Sequence, residues 1–218
     1  MLRADLHVHT RQSIDSYMTY EQLIAACQAN DINCIGVADH GTTLGARELS
    51  KIAPFKIIIC EEVRTPDGEI MGMFLQEDIP DKIPLDEAVK RIRDQGGLIC
   101  IPHPYDLVRP SALRKTKVLE KLADIVDIIE VYNSRSLFPG TEKRALSLAR
   151  RHGRLISAGS DAHSPSELGY AIVEMQDFTG THEFLASLKI ATIHSRKSSP
   201  LIHFLSVTAR VDKNINKR

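Results

Sequence analysis

Short apolar runs recur along the chain and alternate with stretches of mixed polarity. The runs are Leu2–His7, Cys34–Ala38, Lys56–Cys60, Ile70–Leu75, Leu98–Ile101, Ile128–Val131, Leu155–Ser157 and Ala171–Val173. Several are almost continuously apolar rather than alternating, which suits strands buried on both faces. Helical signals lie between them. Thr19 followed by Gln22 forms a capping-box pattern opening a helix near 20–30. Pro84 suits the first turn of a helix that stops at Gly96–Gly97, and another helix near 140–152 stops at Gly153. Thr65-Pro66-Asp67-Gly68 is a turn joining two antiparallel strands. Strand and helix thus alternate with one local hairpin, the pattern of a parallel sheet or a β/α barrel.

At 218 residues the chain suits one large domain, here taken as 1–199. Residues 200–218 form a C-terminal tail ending in the polar, basic stretch Lys213–Arg218, expected to be a frayed, solvated terminus. Lysine plus arginine equals aspartate plus glutamate, 28 each, so charge gives no sign of nucleic-acid or membrane binding. The 4 cysteines include no CxxC pair, and Cys34, Cys60 and Cys100 sit in apolar runs as small hydrophobes. All are expected to be reduced, in a cytoplasmic protein. The N-terminus turns polar at Arg3 and Asp5, and no apolar run approaches a membrane span.

The chemistry lies at the ends of the apolar runs. His7 and His9 flank Val8, and a spacing of two puts both imidazoles on one face of an extended segment. His40 follows the second run, Glu61 and Glu62 end the third, His103 ends the Leu98–Ile101 run, and Asp161 and His163 follow Leu155–Ser157. In a β/α barrel such ends converge on one face, where active sites sit. Any one of these residues alone reads as a polar group capping a strand. Together they are a set of metal ligands. The remaining histidines, His152, His182, His194 and His203, are placed as ordinary residues. Neutral imidazoles with Asp15, Glu62 and Asp161 bring about three negative charges, and two or three divalent ions bring about four to six positive ones. The loaded site would attract an anion such as a phosphate. No serine or cysteine has an activated-nucleophile context, which leaves metal-bound water or hydroxide as the nucleophile.

These segments resemble the PHP family, named for polymerase and histidinol phosphatase. DLHVHT, Asp15 in RQSID, VADHGT, CEEVRT, IPHPYD, VYNSR and GSDAH occur in order over roughly residues 1–195. The resemblance implies a distorted (β/α)7 barrel and two or three divalent metal ions, commonly manganese, iron, zinc or magnesium. It implies His7 and His9 as ligands of a first metal, Asp161 completing that site and Glu62 bridging. It further implies His103 on a second metal, and Asp15, His40 and His163 on a third. Asp39 then orients an imidazole. There are two departures. Cys60 stands where the family usually has glycine before the bridging glutamate, so Glu62 is preferred over Glu61 from the Val-Arg-Thr that follows. Asn133 stands near where some relatives supply a further ligand to the second metal.

Arg135 follows a strand end and could fork onto a phosphate; Arg11, Arg64 and Arg109 lie on site-side loops as weaker candidates. The expected activity is hydrolysis of a phosphate ester on a small phosphorylated metabolite, a nucleotide or an oligonucleotide end. Two alternatives stand beside it: a catalytically silent PHP binding module and an amidohydrolase. The first is disfavoured by the apparently full ligand set, the second by Glu62 where amidohydrolases usually carry a bridging lysine. Only about forty residues separate Glu62 from His103, too few for an inserted capping domain, so an open site is expected. The sequence leaves the oligomeric state undefined.

Overall fold

The computed structural model describes residues 1–199, 208–209 and 211–213; the rest of the expected tail lies outside the described residues. Its strands are β1 (Leu2–Val8), β2 (Cys34–Val37), β3 (Lys56–Thr65), β4 (Gly68–Met73), β5 (Leu98–Ile101), β6 (Ile128–Asn133), β7 (Leu155–Gly159), β8 (Ala171–Met175) and β9 (Thr192–Ser195). Its helices are α1 (Tyr20–Ala29), α2 (Leu44–Ile52), α3 (Leu85–Asp94), α4 (Thr116–Ala123), α5 (Thr141–Arg151) and α6 (Thr181–Lys189).

One sheet runs β7-β6-β5-β4-β3-β2-β1-β8-β9. β1, β2 and β3 are mutually parallel, as are β5, β6 and β7, while β4 runs antiparallel between the two groups. The sheet curls until β7 meets β1. Asp161 N donates to His7 O (2.7 Å) and His9 N to Ala162 O (2.9 Å), closing the upper end through the segment after β7. At the lower end the antiparallel β8 pairs with Leu2–Ala4 of β1. The result is the distorted (β/α)7 barrel, with the β3–β4 hairpin and β8 as its irregularities.

Side chains from inside the barrel, among them Ala4, Leu6, Cys34, Ile58, Cys60, Met71, Cys100, Ile128 and Ala158, form one buried cluster. Phe74, Phe178 and Phe184 meet edge to face at its base, with centroids 5.1–6.0 Å apart. The outer faces of the strands pack against the helices, as in Ile35 and Val37 with Leu23 and Leu49. All four cysteines are free and buried, and burial pushes the Cys34 thiol up to about 12.

The capping box at Thr19 is present: its side chain accepts from Gln22 N, and Gln22 Oε1 accepts from Thr19 N. α5 ends before Gly153, whose φ of +62° is the left-handed geometry that glycine adopts without penalty. Pro84 caps α3 rather than entering its first turn. β3 continues to Thr65, so Glu61 and Glu62 lie inside a strand and not at its end; pairing with β4 across the Thr65–Gly68 turn extends it. No helix among the described residues is long and apolar enough to cross a membrane.

Candidate metal centre

Two β-bulges decide which side chains enter the barrel mouth. In β1, Asp5 pairs with Ile35 but Val8 with Val37, so one residue is extra. Simple alternation would place His7 on the outer face with Asp5. The bulge resets the phase, so Val8 packs outward against α1 and α2 while His7 and His9 turn inward. A second bulge between Glu130 and Tyr132 of β6 lets Glu130 and Asn133 face the same space. Gly159 makes this approach possible, since a Cβ there would stand 2.2 Å from His7 Cβ. Gly159→Ala should therefore destabilise the barrel by about 1–3 kcal/mol; a thermal melt on metal-free protein checks this.

His7, His9, Glu62, His103 and Asp161 are fully buried together. His7 Nε2 and His9 Nε2 lie 3.1 Å apart. Glu62 Oε2 lies 3.6 Å from His7 Nε2, 3.5 Å from His9 Nε2 and 3.4 Å from His40 Nδ1, and its Oε1 is 2.8 Å from His103 Nε2. Asp161 Oδ1 is 3.3 Å from His9 Nε2. On the other flank, Asp15 lies 3.3 Å from both His40 Nε2 and His163 Nε2. Three overlapping groupings result: His9, Asp15, His40 and His163; His7, His9 and Asp161; and His7, Glu62 and His103. Glu61 is on the opposite face of β3, where its Oε2 accepts from Ile79 N (2.9 Å).

Asp161 and His103 adopt φ of +56° and +29°, in the left-handed region that non-glycine residues seldom occupy. His7 Nδ1 contacts Glu130 Oε1 at 3.0 Å; a proton on Nδ1 makes this bond and turns the Nε2 lone pair toward the cluster. Glu130 also accepts from His103 N and from Asn133 Nδ2. Asn133 donates to Asp161 Oδ2 as well, so it braces two acidic side chains. Asp39 receives Thr10 N and Thr10 Oγ1, both at 2.6 Å, so its hydrogen bonds fix the loop after His9 and reach no imidazole. Gly45 leaves room for that pair, because a Cβ there would lie 2.0 Å from Asp39 Oδ2.

In the cluster, carboxylates and imidazoles stabilise one another's charge. Burial works against charge on Asp15, yet the facing His40 and His163 hold its pKa well below the carboxylate range. Burial is likewise outweighed at Glu62 by His7, His40 and His103, and at Asp161 by Arg109 and His7. The same carboxylates overcome burial to hold His7 well above its usual pKa and His40 at about 10. His163 goes the other way, to about 3, through burial and then the Arg135 charge. Buried Glu62 Oε2, Asp161 Oδ1, His40 Nδ1 and His103 Nδ1 have no hydrogen-bond partner. Glu62 Oε2 and Asp161 Oδ1 in particular stand among imidazoles with acceptor capacity unused, and buried carboxylate oxygens of this kind fit divalent ions.

The four arginines are placed differently. Arg109 reaches from the loop after β5 to pair with Asp161, and its Nε lies 3.6 Å from Asp106 Oδ2. Leu107 and Val108 of that loop are exposed. Arg135 is buried, with Nε 3.0 Å from Glu167 Oε1 and Nη1 2.7 Å from His163 Nδ1. Arg64 pairs with Asp81, and Arg11 is exposed with its guanidinium 5.0 Å from the Tyr20 ring centroid. Sequence reasoning missed Glu69, Glu130 and Glu167. Glu69 lies in β4, 3.6 Å from His40 Nδ1, and forms a further grouping with His40 and Glu62.

A barrel that gathers five histidines and at least three carboxylates at one mouth defines an α/β protein with a cluster of metal-ligand side chains at its centre. The family described as PHP-associated matches residues 140–193. An uncharacterised protein of Methanocaldococcus jannaschii is 35% identical over 201 residues, spanning 88% of this chain and 81% of its own length. A two-domain protein of Bacteroides vulgatus containing a predicted PHP-like metal-dependent phosphoesterase superposes with a TM-score of 0.67 at 18% identity, over 89% of this chain and 65% of that one. An amidohydrolase of Chromobacterium violaceum, with bound sulfate and no metal, superposes at 0.64 with 17% identity, over 94% and 96%. The chain belongs to the PHP family.

Proposed function

We propose that this protein is a metal-dependent phosphoesterase that hydrolyses a phosphate ester on a small phosphorylated metabolite, a nucleotide or an oligonucleotide end. The observation that carries the reading is the meeting of two guanidiniums, Arg109 and Arg135, with the buried His/Asp/Glu cluster. His7, His9 and Asp161 would hold one ion, His103 a second and Asp15, His40 and His163 a third, with Glu62 between them. Bound divalent ions supply Lewis acidity toward phosphoryl oxygens and lower the pKa of water enough to furnish a nucleophile near neutral pH.

The chain's own residues do the rest. Glu130 keeps His7 in the tautomer that presents Nε2, and Asn133 restrains Asp161. His163 Nδ1 lies 2.7 Å from both Arg135 Nη1 and Asp161 O, and one nitrogen cannot accept from the first while donating to the second. When His163 presents the Nε2 lone pair to a cation, its Nδ1 proton goes to Asp161 O. Arg135 Nη1 then faces a proton and offers its own hydrogen to a substrate oxygen instead. Arg109 stands on the other side of Asp161 with the same capacity.

The purified protein should bind at least two divalent ions per chain when manganese or iron is supplied. Elemental analysis checks this, and less than one equivalent with no activity on reconstitution contradicts the site. The loaded protein should turn over phosphomonoesters and leave cyclic amides intact. The converse preference would make it an amidohydrolase, and metal binding with no turnover on either panel would make it a binding module.

A further inference from the structure

The stretch expected to be a frayed basic terminus contains one strongly engaged side chain. Lys213, in a helical segment at 211–213, donates from Nζ to the carbonyl oxygens of Arg11 (2.7 Å), Ser13 (2.7 Å) and Ser16 (2.5 Å). An ammonium carries three N–H donors and no acceptor, and three carbonyl oxygens converge on it here. Its neighbour Asp212 accepts from Tyr17 Oη (2.9 Å), and Lys213 Nζ lies 5.4 Å from the Tyr17 ring centroid. Ala209, four residues earlier, is buried.

All these contacts fall on the irregular loop between β1 and α1, and two of the carbonyls, those of Ser13 and Ser16, bracket Asp15. The loop has few backbone bonds of its own: Arg11 N to Met18 O (2.8 Å), Ser13 N to Thr10 O (3.0 Å) and Ser16 N to Ser13 O (3.5 Å). Asp15 must nevertheless hold one carboxylate against both His40 and His163. The geometry points to Lys213 as a positioning residue that fixes the Asp15 loop and thereby shapes the Asp15–His40–His163 side of the cluster. Its effect on metal rests on the metal-centre reading above; its hold on the loop does not.

Lys213→Met keeps the aliphatic stem and removes the donors. In metal-free protein, amide hydrogen exchange over residues 11–17 should accelerate about tenfold or more, while β1 and β7 keep their protection. In a manganese titration followed by elemental analysis, one equivalent should bind about tenfold more weakly. Asp15→Asn should weaken the same equivalent without loosening the loop. Unchanged exchange in Lys213→Met overturns the proposal, and so does faster exchange with an unchanged titration when Asp15→Asn does alter it. If Asp15→Asn leaves the titration unaltered, the metal reading of Asp15 fails, and Lys213 is judged on the exchange alone.

Discussion

Glu62→Gln should lose metal and turnover together, with kcat falling by more than about a hundredfold. Both Glu62 oxygens are engaged, Oε1 with His103 and Oε2 among His7, His9 and His40. An amide offers one neutral oxygen and places an N–H donor where the cluster needs a lone pair. Residues that merely orient a ligand cost about 10–100-fold when removed, so the shared ligand should cost more. Glu61→Gln is the control, because Glu61 points to Ile79 N on the outer face. It should leave metal content intact. Elemental analysis and steady-state kinetics on both variants decide the matter, and a larger loss in Glu61→Gln would reverse the assignment.

Arg135→Ala should retain most of its metal and lower kcat/KM by roughly ten- to a thousandfold, the range for about 1.5–4 kcal/mol of charge-assisted contact. Arg135→Lys should recover little, because an ammonium cannot reproduce the planar fork across Glu167 and a phosphate. The variant should also melt lower than wild type, since Glu167 keeps only its bonds from His163 N and Ser164 Oγ. Kinetics on the best phosphomonoester, set beside metal content, separate a substrate contact from a structural one. Wild-type kcat/KM in Arg135→Ala would move the search to Arg109, which already lies against Asp161.

Most of the candidate ligands that stood out in the sequence share one property: they lie at or just past the end of a parallel strand, where barrel geometry makes position informative. His7, His9, His40, His103, Asp161 and His163 are of this kind. Glu69 was invisible because β4 runs antiparallel, so the residue that reaches the mouth stands at the strand's beginning. Glu130 sits within Ile-Ile-Glu-Val, and its inward direction depends on a bulge that no periodicity announces. Arg135 was found from its place after β6, but its partner Glu167 lies in a short 3-10 turn with no pattern of its own. Among larger elements, the apolar runs gave the strands well. β9 is largely exposed and has no apolar run, while α2, α4 and α6 lack the capping box or closing glycine that marked α1, α3 and α5.

The way the barrel closes would link metal occupancy to folding. Its upper seam is made by Asp161 N on His7 O and His9 N on Ala162 O, so three of the residues stitching the last gap also carry ligand-type side chains. Without cations, the folded chain must hold several carboxylates and imidazoles together out of water; the unfolded chain need not. Any ion that binds only the folded cluster shifts that balance by mass action, by about 2.7 kcal/mol at a hundred times its dissociation constant. If the cluster takes up its ions, the resistance of this protein to unfolding is set partly by the metal available around it.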